Sequence, residues 1–348
     1  MSLLSLARSV WRSVIRKGFH AVSDRVAWHS SALRSRSPRI RETWQGARSL
    51  QSAGKVAILV HFSRDGRFLS YFHYLLQQLD RAGFAVIVVS NSRKIDRKGV
   101  DKLLPFCASV VHRYNVGYDF GAWRDGLSRI PDLQKIDRLI LANDSIFGPL
   151  QDLGEMIERC KPDRADIWSV TDSYSGRYHL QSYFMVINKA ALTSAAFDKF
   201  WRIMRYVENK RVVIHKYEIG LSQAMLRAGL RLRALYPYTQ LVEDVVLSTV
   251  REVDENDAEA ADAPRISAYA QSLLSSVNEG QPLNPTHFFW EHLVLSAGCP
   301  FIKRDLLEKN PVRIPLLGNW RRTIAESSDY PIEMIEEYLQ IASRDRVF

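Results

Sequence analysis

Residues 56–90 read VAILVHFSRDGRFLSYFHYLLQQLDRAGFAVIVVS, and this stretch decides the fold. Val56–Val60 is a short, unbroken apolar run, the pattern of a strand buried on both faces. Phe68, Phe72, Leu75, Leu76 and Leu79 then recur at helical spacing, giving one helix stripe that ends at Gly83. Phe84–Ser90 is a second buried-strand run. A strand, a helix and a strand in immediate succession put two neighbouring parallel strands in one sheet.

The alternation continues downstream. Strands are expected at Ser109–Arg113, Arg138–Ala142, Ile167–Val170 and Tyr183–Ile187. Helices are expected around Asp119–Ser128, Gly154–Cys160, Ala190–Val207 and Glu218–Ala228. The fold class is therefore α/β: an open, mainly parallel sheet flanked by helices, with ligands beyond the carboxyl ends of the strands. Upstream, the Ser/Arg-rich stretch Ser30–Ser52 reads as a linker. Near residue 250 the character changes: Arg251–Pro264 carries Glu252, Asp254, Glu255, Asp257, Glu259 and Asp262 with few apolar residues. This predicts an arm and linker over 1–50, an α/β core over 51–250, a mobile acidic loop over 251–265, and a helical extension over 266–348 that completes the site.

The charge is unevenly placed. Of a net +10 over 348 residues, residues 1–50 hold ten Lys/Arg against Asp24 and Glu42, so most of the surplus belongs to one arm. Leu3, Leu6, Val10, Val14 and Val22 form a helical stripe thickened by Trp11, Ile15 and Phe19 and flanked by Arg8, Arg12, Arg16 and Lys17. Such a basic amphipathic helix suits an anionic membrane surface; packing on the protein's own body is the competing reading. Because the apolar residues interleave as a stripe, the arm fits lipid better than nucleic acid. The charges also interrupt any continuous apolar span or signal-peptide core. Cys107, Cys160 and Cys299 are scattered and odd in number, which fits a reducing compartment and no disulfide framework. The expected location is cytoplasmic, peripheral to a membrane.

Candidate chemistry gathers where strands should end. Asn143, Asp144 and Ser145 follow the run Leu139–Ala142 and would project into the cleft. A carboxylate there can hold Mg²⁺ or Mn²⁺, ions that take few protein ligands plus substrate phosphates; an Asx-turn or helix N-cap would use the same residues. Asn115, Gly117, Asp119 and Gly121 offer two glycines around an acid just before a helix, which permits close approach to a phosphate or simply makes a capped turn. Asp172 opens a polar loop leading to His179, Gln181, Ser182 and Tyr183, groups that suit sugar hydroxyls or an ordinary surface loop. Glu218 opens a helix and shares a face with Leu221 and Met225. An inward carboxylate there can act as a general base, while favouring the helix dipole is the alternative. His287, among aromatics, is either a ligand or a core residue.

Taken in order, the stretches VAILVHFS, NVGYDFGAWRDGL, LILANDSIFGPL, HLQSYFMVINKAAL, YEIGLSQAML and NPTHFFWEHLVLSAGCPFIKRDLL resemble the rhamnan synthesis protein F family, over roughly residues 55–310. The resemblance implies a glycosyltransferase-A-like, nucleotide-binding sandwich with a metal-assisted diphosphate leaving group. It puts Asn143-Asp144-Ser145 where an Asp-x-Asp motif stands, with only Asp144 acidic, which leaves three outcomes open: Mg²⁺ or Mn²⁺ bound more weakly at Asp144, bound with His287 recruited beside it, or not bound at all. It assigns Asn115–Gly121 with Asn143 and Ser145 to the nucleotide, and Glu218 to the base. The implied donor is dTDP-L-rhamnose, the acceptor a lipid-linked cell-surface polysaccharide or O-antigen, and the reaction inverting. A non-catalytic scaffold subunit of a polysaccharide synthase complex is the alternative.

Overall fold

In the computed structural model, residues 22–33, 37–245, 269, 271, 273, 275–277, 279–315 and 317–344 are described. The amphipathic stripe up to Phe19 and the acidic loop over 251–265 lie outside them, while Val22, the stripe's last residue, is described and exposed.

The described residues form a nine-stranded mixed sheet, its central strands parallel. Strands β2 (Lys55–His61), β3 (Ala85–Ser90), β4 (Ser109–Arg113) and β5 (Arg138–Asn143) run parallel in the order β4-β3-β2-β5. Beyond β5 lie β9 (Phe184–Asn188, antiparallel), then β7 (Ile167–Ser173) and β10 (Leu232–Tyr236), which are parallel to one another. The short β8 (His179–Leu180) pairs antiparallel with β7. As the alternating register of a strand requires, Val56, Ile58 and Val60 face one layer and Ala57 and Leu59 the other.

Each face is covered by helices. On one side α2 (Tyr118–Leu127) and α3 (Ile219–Arg227) pack Trp123, Leu221 and Met225 against Ile58 and Leu141. On the other, α1 (Ser70–Arg81) contributes Phe72, Leu75 and Leu76. The C-terminal helices α4 (Arg304–Lys309), α5 (Trp320–Ser327) and α6 (Glu333–Arg344) join that same core through Leu306, Ile324 and Ile335, each fully buried. The C-terminal segment is therefore part of the fold's second layer.

Three expectations are corrected. The stretch Ser30–Ser52 is not all linker: β1 (Ile40–Gln45) pairs antiparallel with β4, Trp44 opposite Val110. Its charges mask it, because an edge strand tolerates them and here uses them: Arg97 lies over the Trp44 ring and Arg41 over Tyr114. The helix expected over Ala190–Val207 is two, Lys189–Leu192 and Ala195–Ile203, because Ser194 takes the Phe197 amide and starts a new one. Glu218 does not open a helix. It closes one wide turn, Ile214–Glu218, that links Lys210–Val213 to α3 without a break, so its carboxylate has no free helix N-terminus to stabilise.

Candidate functional site

The chain leaves β5 at Asn143, turns through Asp144 and Ser145, and enters the two-residue strand β6 (Ile146–Phe147). β6 pairs antiparallel with β11 (Ile302–Lys303), and the Arg304 amide donates to the Ser145 carbonyl at 2.9 Å. This ladder rests on the buried side chains of Phe147 and Ile302. It brings Lys303, Arg304 and Asp305 to the carboxyl end of the central strand, where an α/β sheet binds its ligands.

The hydrogen bonds there form a connected set. Asn143 Oδ1 accepts from the Ser145 amide (3.1 Å) and hydroxyl (2.5 Å), and Asn143 Nδ2 donates to Asp119 at 3.0 Å. Asp144 Oδ2 accepts from the Phe62 amide at 2.9 Å and faces the Arg304 guanidinium at 3.2 Å. Lys303 Nζ donates to Ser145 Oγ at 2.9 Å and sits 4.6 Å from the centre of the Tyr183 ring. Arg304 also donates to the Tyr71 hydroxyl at 2.6 Å. On the β9 side, Glu218 Oε1 accepts from the Ser182 amide (3.0 Å) and hydroxyl (2.7 Å). Gln181 is fixed by Thr171 at 2.6 Å and reaches Asn284 at 3.3 Å. Asn284 meets His287 at 3.3 Å, and His287 pairs with Asp305 at 3.1 Å.

The charges act on one another. Burial pushes the Asp119 carboxyl up to about 6, with Asp144 and Glu218 adding to the rise and Lys303 and Arg304 opposing it. Burial lowers the Lys303 ammonium, against the pull of Asp305, Glu218 and Asp119. Burial also raises the Asp305 carboxyl, but the His287 hydrogen bond and the charges of His287, Lys303 and Lys309 outweigh it and hold it at about 2. The carboxylates of Asp119, Asp144 and Glu218 thus share one field with Lys303 and Arg304.

Arg304 is also a wall of a cavity of about 220 Å³ beyond the end of β2. Arg64, Arg67, Arg304 and Lys309 line it against the carboxylates Asp65 and Glu308, so cations outnumber anions. His61, at its edge, is buried between Ser90 and the Arg67 carbonyl, and burial lowers it to about 4.

Of the residues singled out from sequence, Asp119, Asn143, Asp144, Ser145, Ser182, Tyr183 and Glu218 come together. Gln181 and His287 join through Asn284 and Asp305. The others do different work. Asn115 is exposed on the loop before α2. A Cβ on Gly117 would meet the Tyr206 ring at 3.1 Å, and one on Gly121 the Val116 carbonyl at 2.4 Å, so both glycines serve close packing within the protein. That packing surrounds a pair absent from the sequence reading. Arg113 and Asp125, both fully buried, meet at 2.6 Å, and Arg113 also holds Asn91 at 2.5 Å and the Val116 carbonyl at 2.8 Å. Asp172 lies inside β7, not in a loop, and accepts from the Tyr238 amide at 2.7 Å; His179 bonds the Arg177 carbonyl at 2.8 Å. Lys303, Arg304 and Asp305 carry no sequence signal of their own beyond their place in the stretch PFIKRDLL.

As a holder for a divalent ion the set fits poorly. Among the described residues no three His, Cys, Asp or Glu side chains are grouped to take a metal. Asp144 already faces a guanidinium, Ser145 Oγ an ammonium, and the bonds of His287 run to Asp305 and Asn284.

The fold and this edge define a class: an α/β protein with a mixed, mainly parallel sheet, helices on both faces, and a cluster of charged side chains at the carboxyl ends of its central strands. The chain belongs to the rhamnan synthesis protein F family. The family's model matches residues 86–254. Virulence protein VirA of Vibrio anguillarum is 30% identical over 284 residues, covering 79% of this chain and 86% of VirA. The uncharacterized protein y4gN of Sinorhizobium fredii is 31% identical over 186 residues, 52% of this chain and 48% of y4gN. Among solved structures, the glycosyltransferase GlyE of Streptococcus pneumoniae superposes with a TM-score of 0.31 at 10% identity, over 57% of this chain and 50% of GlyE. The mannosyltransferase Ktr4p of S. cerevisiae, in complex with GDP, gives a TM-score of 0.28 at 12% identity, over 58% of this chain and 74% of Ktr4p.

Proposed function

We propose that the chain is a glycosyltransferase with a glycosyltransferase-A-like core. It takes a nucleotide-activated sugar, L-rhamnose from dTDP-L-rhamnose, and transfers it to a lipid-linked surface glycan. Membership of the rhamnan synthesis protein F family supports the transferase reading. The observation that carries the reading is the cluster of Asp119, Asp144 and Glu218 with Lys303 and Arg304 across the strand ends, beside a cavity with a cationic surplus. Such a cavity suits a nucleoside diphosphate.

Glu218 is the base. Ser182 fixes one of its oxygens with two hydrogen bonds, which orients the carboxylate to accept the proton of an acceptor hydroxyl. With Glu218 as the single base and no covalent intermediate, the displacement we propose is inverting. Among the described residues no helix is long and apolar enough to cross a membrane. The stripe over residues 3–22 would lay the protein on the inner face of the cytoplasmic membrane, where a lipid-linked acceptor is found.

The test is thermal stabilisation of the full chain by dTDP, UDP and GDP, followed by transfer from the matching sugar nucleotide. A ligand at about 100 times its Kd stabilises by roughly 2.7 kcal/mol. Glu218→Gln should keep that stabilisation and lose about 10²–10⁴-fold in transfer. Stabilisation by none of the three nucleotides refutes the transferase and favours a scaffold subunit.

A further inference from the structure

The two cations at the β6–β11 ladder take on more than a structural part. Lys303 has three N–H donors, and one is bonded, to Ser145. Arg304 has five in a planar fork, and its Nη1 meets Tyr71 and Asp144. Both residues are largely buried, the Arg304 side chain 17% exposed, and Arg304 lines the cavity beyond β2. Their backbone is fixed by the pairing of Lys303 with Ile146 and by the bond from the Arg304 amide to the Ser145 carbonyl. Asp144, the one acid in the position of an Asp-x-Asp motif, is charge-matched by Arg304. A divalent ion entering there would have to displace a guanidinium already in place.

We propose that Lys303 and Arg304 hold the diphosphate of the donor and supply the positive charge otherwise expected of a metal, so that nucleotide binding and transfer need no divalent ion. This rests on the transferase reading. In the step itself the bond from the sugar's anomeric carbon to the diphosphate oxygen breaks, and its electron pair stays on that oxygen. The acceptor oxygen bonds the same carbon, and its proton passes to Glu218. Charge develops on the diphosphate as the sugar departs, where a preorganised ammonium and a bidentate guanidinium act without reorganisation. Arg64, Arg67, Arg304 and Lys309 line the cavity beside it, with Arg67 paired to Asp65, Lys309 to Glu308 and Arg304 to Asp144, and a phosphate group there would share these cations.

Calorimetric titration of the full chain with dTDP, UDP and GDP, in EDTA and again in excess Mn²⁺, tests this. The nucleotide that binds should do so with the same Kd within about twofold in both media. Lys303→Met and Arg304→Met should each weaken it by about tenfold or more in EDTA, with Lys303→Arg retaining most of the affinity. The wild-type comparison stands whether or not a variant folds. Binding that appears only with Mn²⁺ overturns the proposal while leaving the transferase intact. Binding in neither medium overturns both, through the loss of the transferase reading.

Discussion

Asp119→Asn should make the protein more stable at neutral pH and leave it unchanged in acid. The Asp119 carboxyl stands at about 6 against an ordinary 3.8, raised by burial and by the charges of Asp144 and Glu218. A group whose folded pKa is raised contributes stability that is complete below its unfolded value and is lost as pH rises through the folded one. The interval from 3.8 to about 6 corresponds to at most about 3 kcal/mol, at about 1.4 kcal/mol per pH unit. Asp119 is only partly shielded from solvent, and screening reduces this to about 1–2 kcal/mol. The carboxamide keeps an oxygen for the Asn143 bond and carries no charge.

His61 sharpens the signature. Its folded value is depressed to about 4 by burial, so its contribution is present above the unfolded value of 6.5 and is lost as pH falls toward 4. Over about pH 4 to 6 the two groups oppose each other, so in the wild type Asp119 offsets part of the rise that His61 contributes. Urea unfolding of both proteins from about pH 4 to about pH 8 reads the result. The variant should match wild type at the acid end, climb through the window as the His61 slope is uncovered, and level off about 1–2 kcal/mol above it. Parallel curves for the two proteins, or a variant less stable at the alkaline end, would refute the account of Asp119 as a carboxyl held in an acidic cluster.

Two further substitutions test the scaffold beneath the site. Arg113→Met leaves Asp125 wholly buried without its partner and should cost about 3–5 kcal/mol in denaturant unfolding; a loss below about 1 kcal/mol would mean that Asn91 and Tyr206 do not depend on it. Gly121→Ala forces a methyl against the Val116 carbonyl and should destabilise by about 1–3 kcal/mol even without any ligand. An unchanged melting temperature together with weaker nucleotide binding would instead restore the phosphate-approach reading of the Asn115–Gly121 segment.

The central sheet was legible because its strands announce themselves. Val56–Val60, Phe84–Ser90 and Leu139–Ala142 are apolar runs that only burial on both faces explains, and the core helices carry clean stripes. β1 and β10 were hidden for the opposite reason: at the sheet's margins IRETWQ and LRALY alternate charge with apolar residues and look like loop or linker. In the site, strand-end carboxylates such as Asp144 can be found from local pattern. What they face cannot, because Lys303 lies 158 residues from its partner Ser145, and a two-residue ladder has no periodicity to read. The glycines of the Asn115–Gly121 segment show the converse. Their pattern suggests close approach to a phosphate or a tight turn, and the atoms that approach them belong to Val116, Arg113 and Tyr206.

The placement of charge also separates scaffold from function. Arg113 and Asp125 are fully buried, and Asn91, Tyr206, Val116 and the Arg39 amide supply further partners, so this pair is closed and has nothing left to offer a ligand. The cluster above it is open. Asp119 is held out of its ordinary range, Lys303 is lowered, and Arg304 divides its fork between Asp144, Tyr71 and the cavity. A fold selected for stability alone would replace such a set with apolar side chains at little cost. The ladder places Lys303 and Arg304 at the strand end, and the occupant proposed for that site is an anion. A diphosphate meets that requirement, since it would engage the unused donors and leave Asp144 paired as it stands.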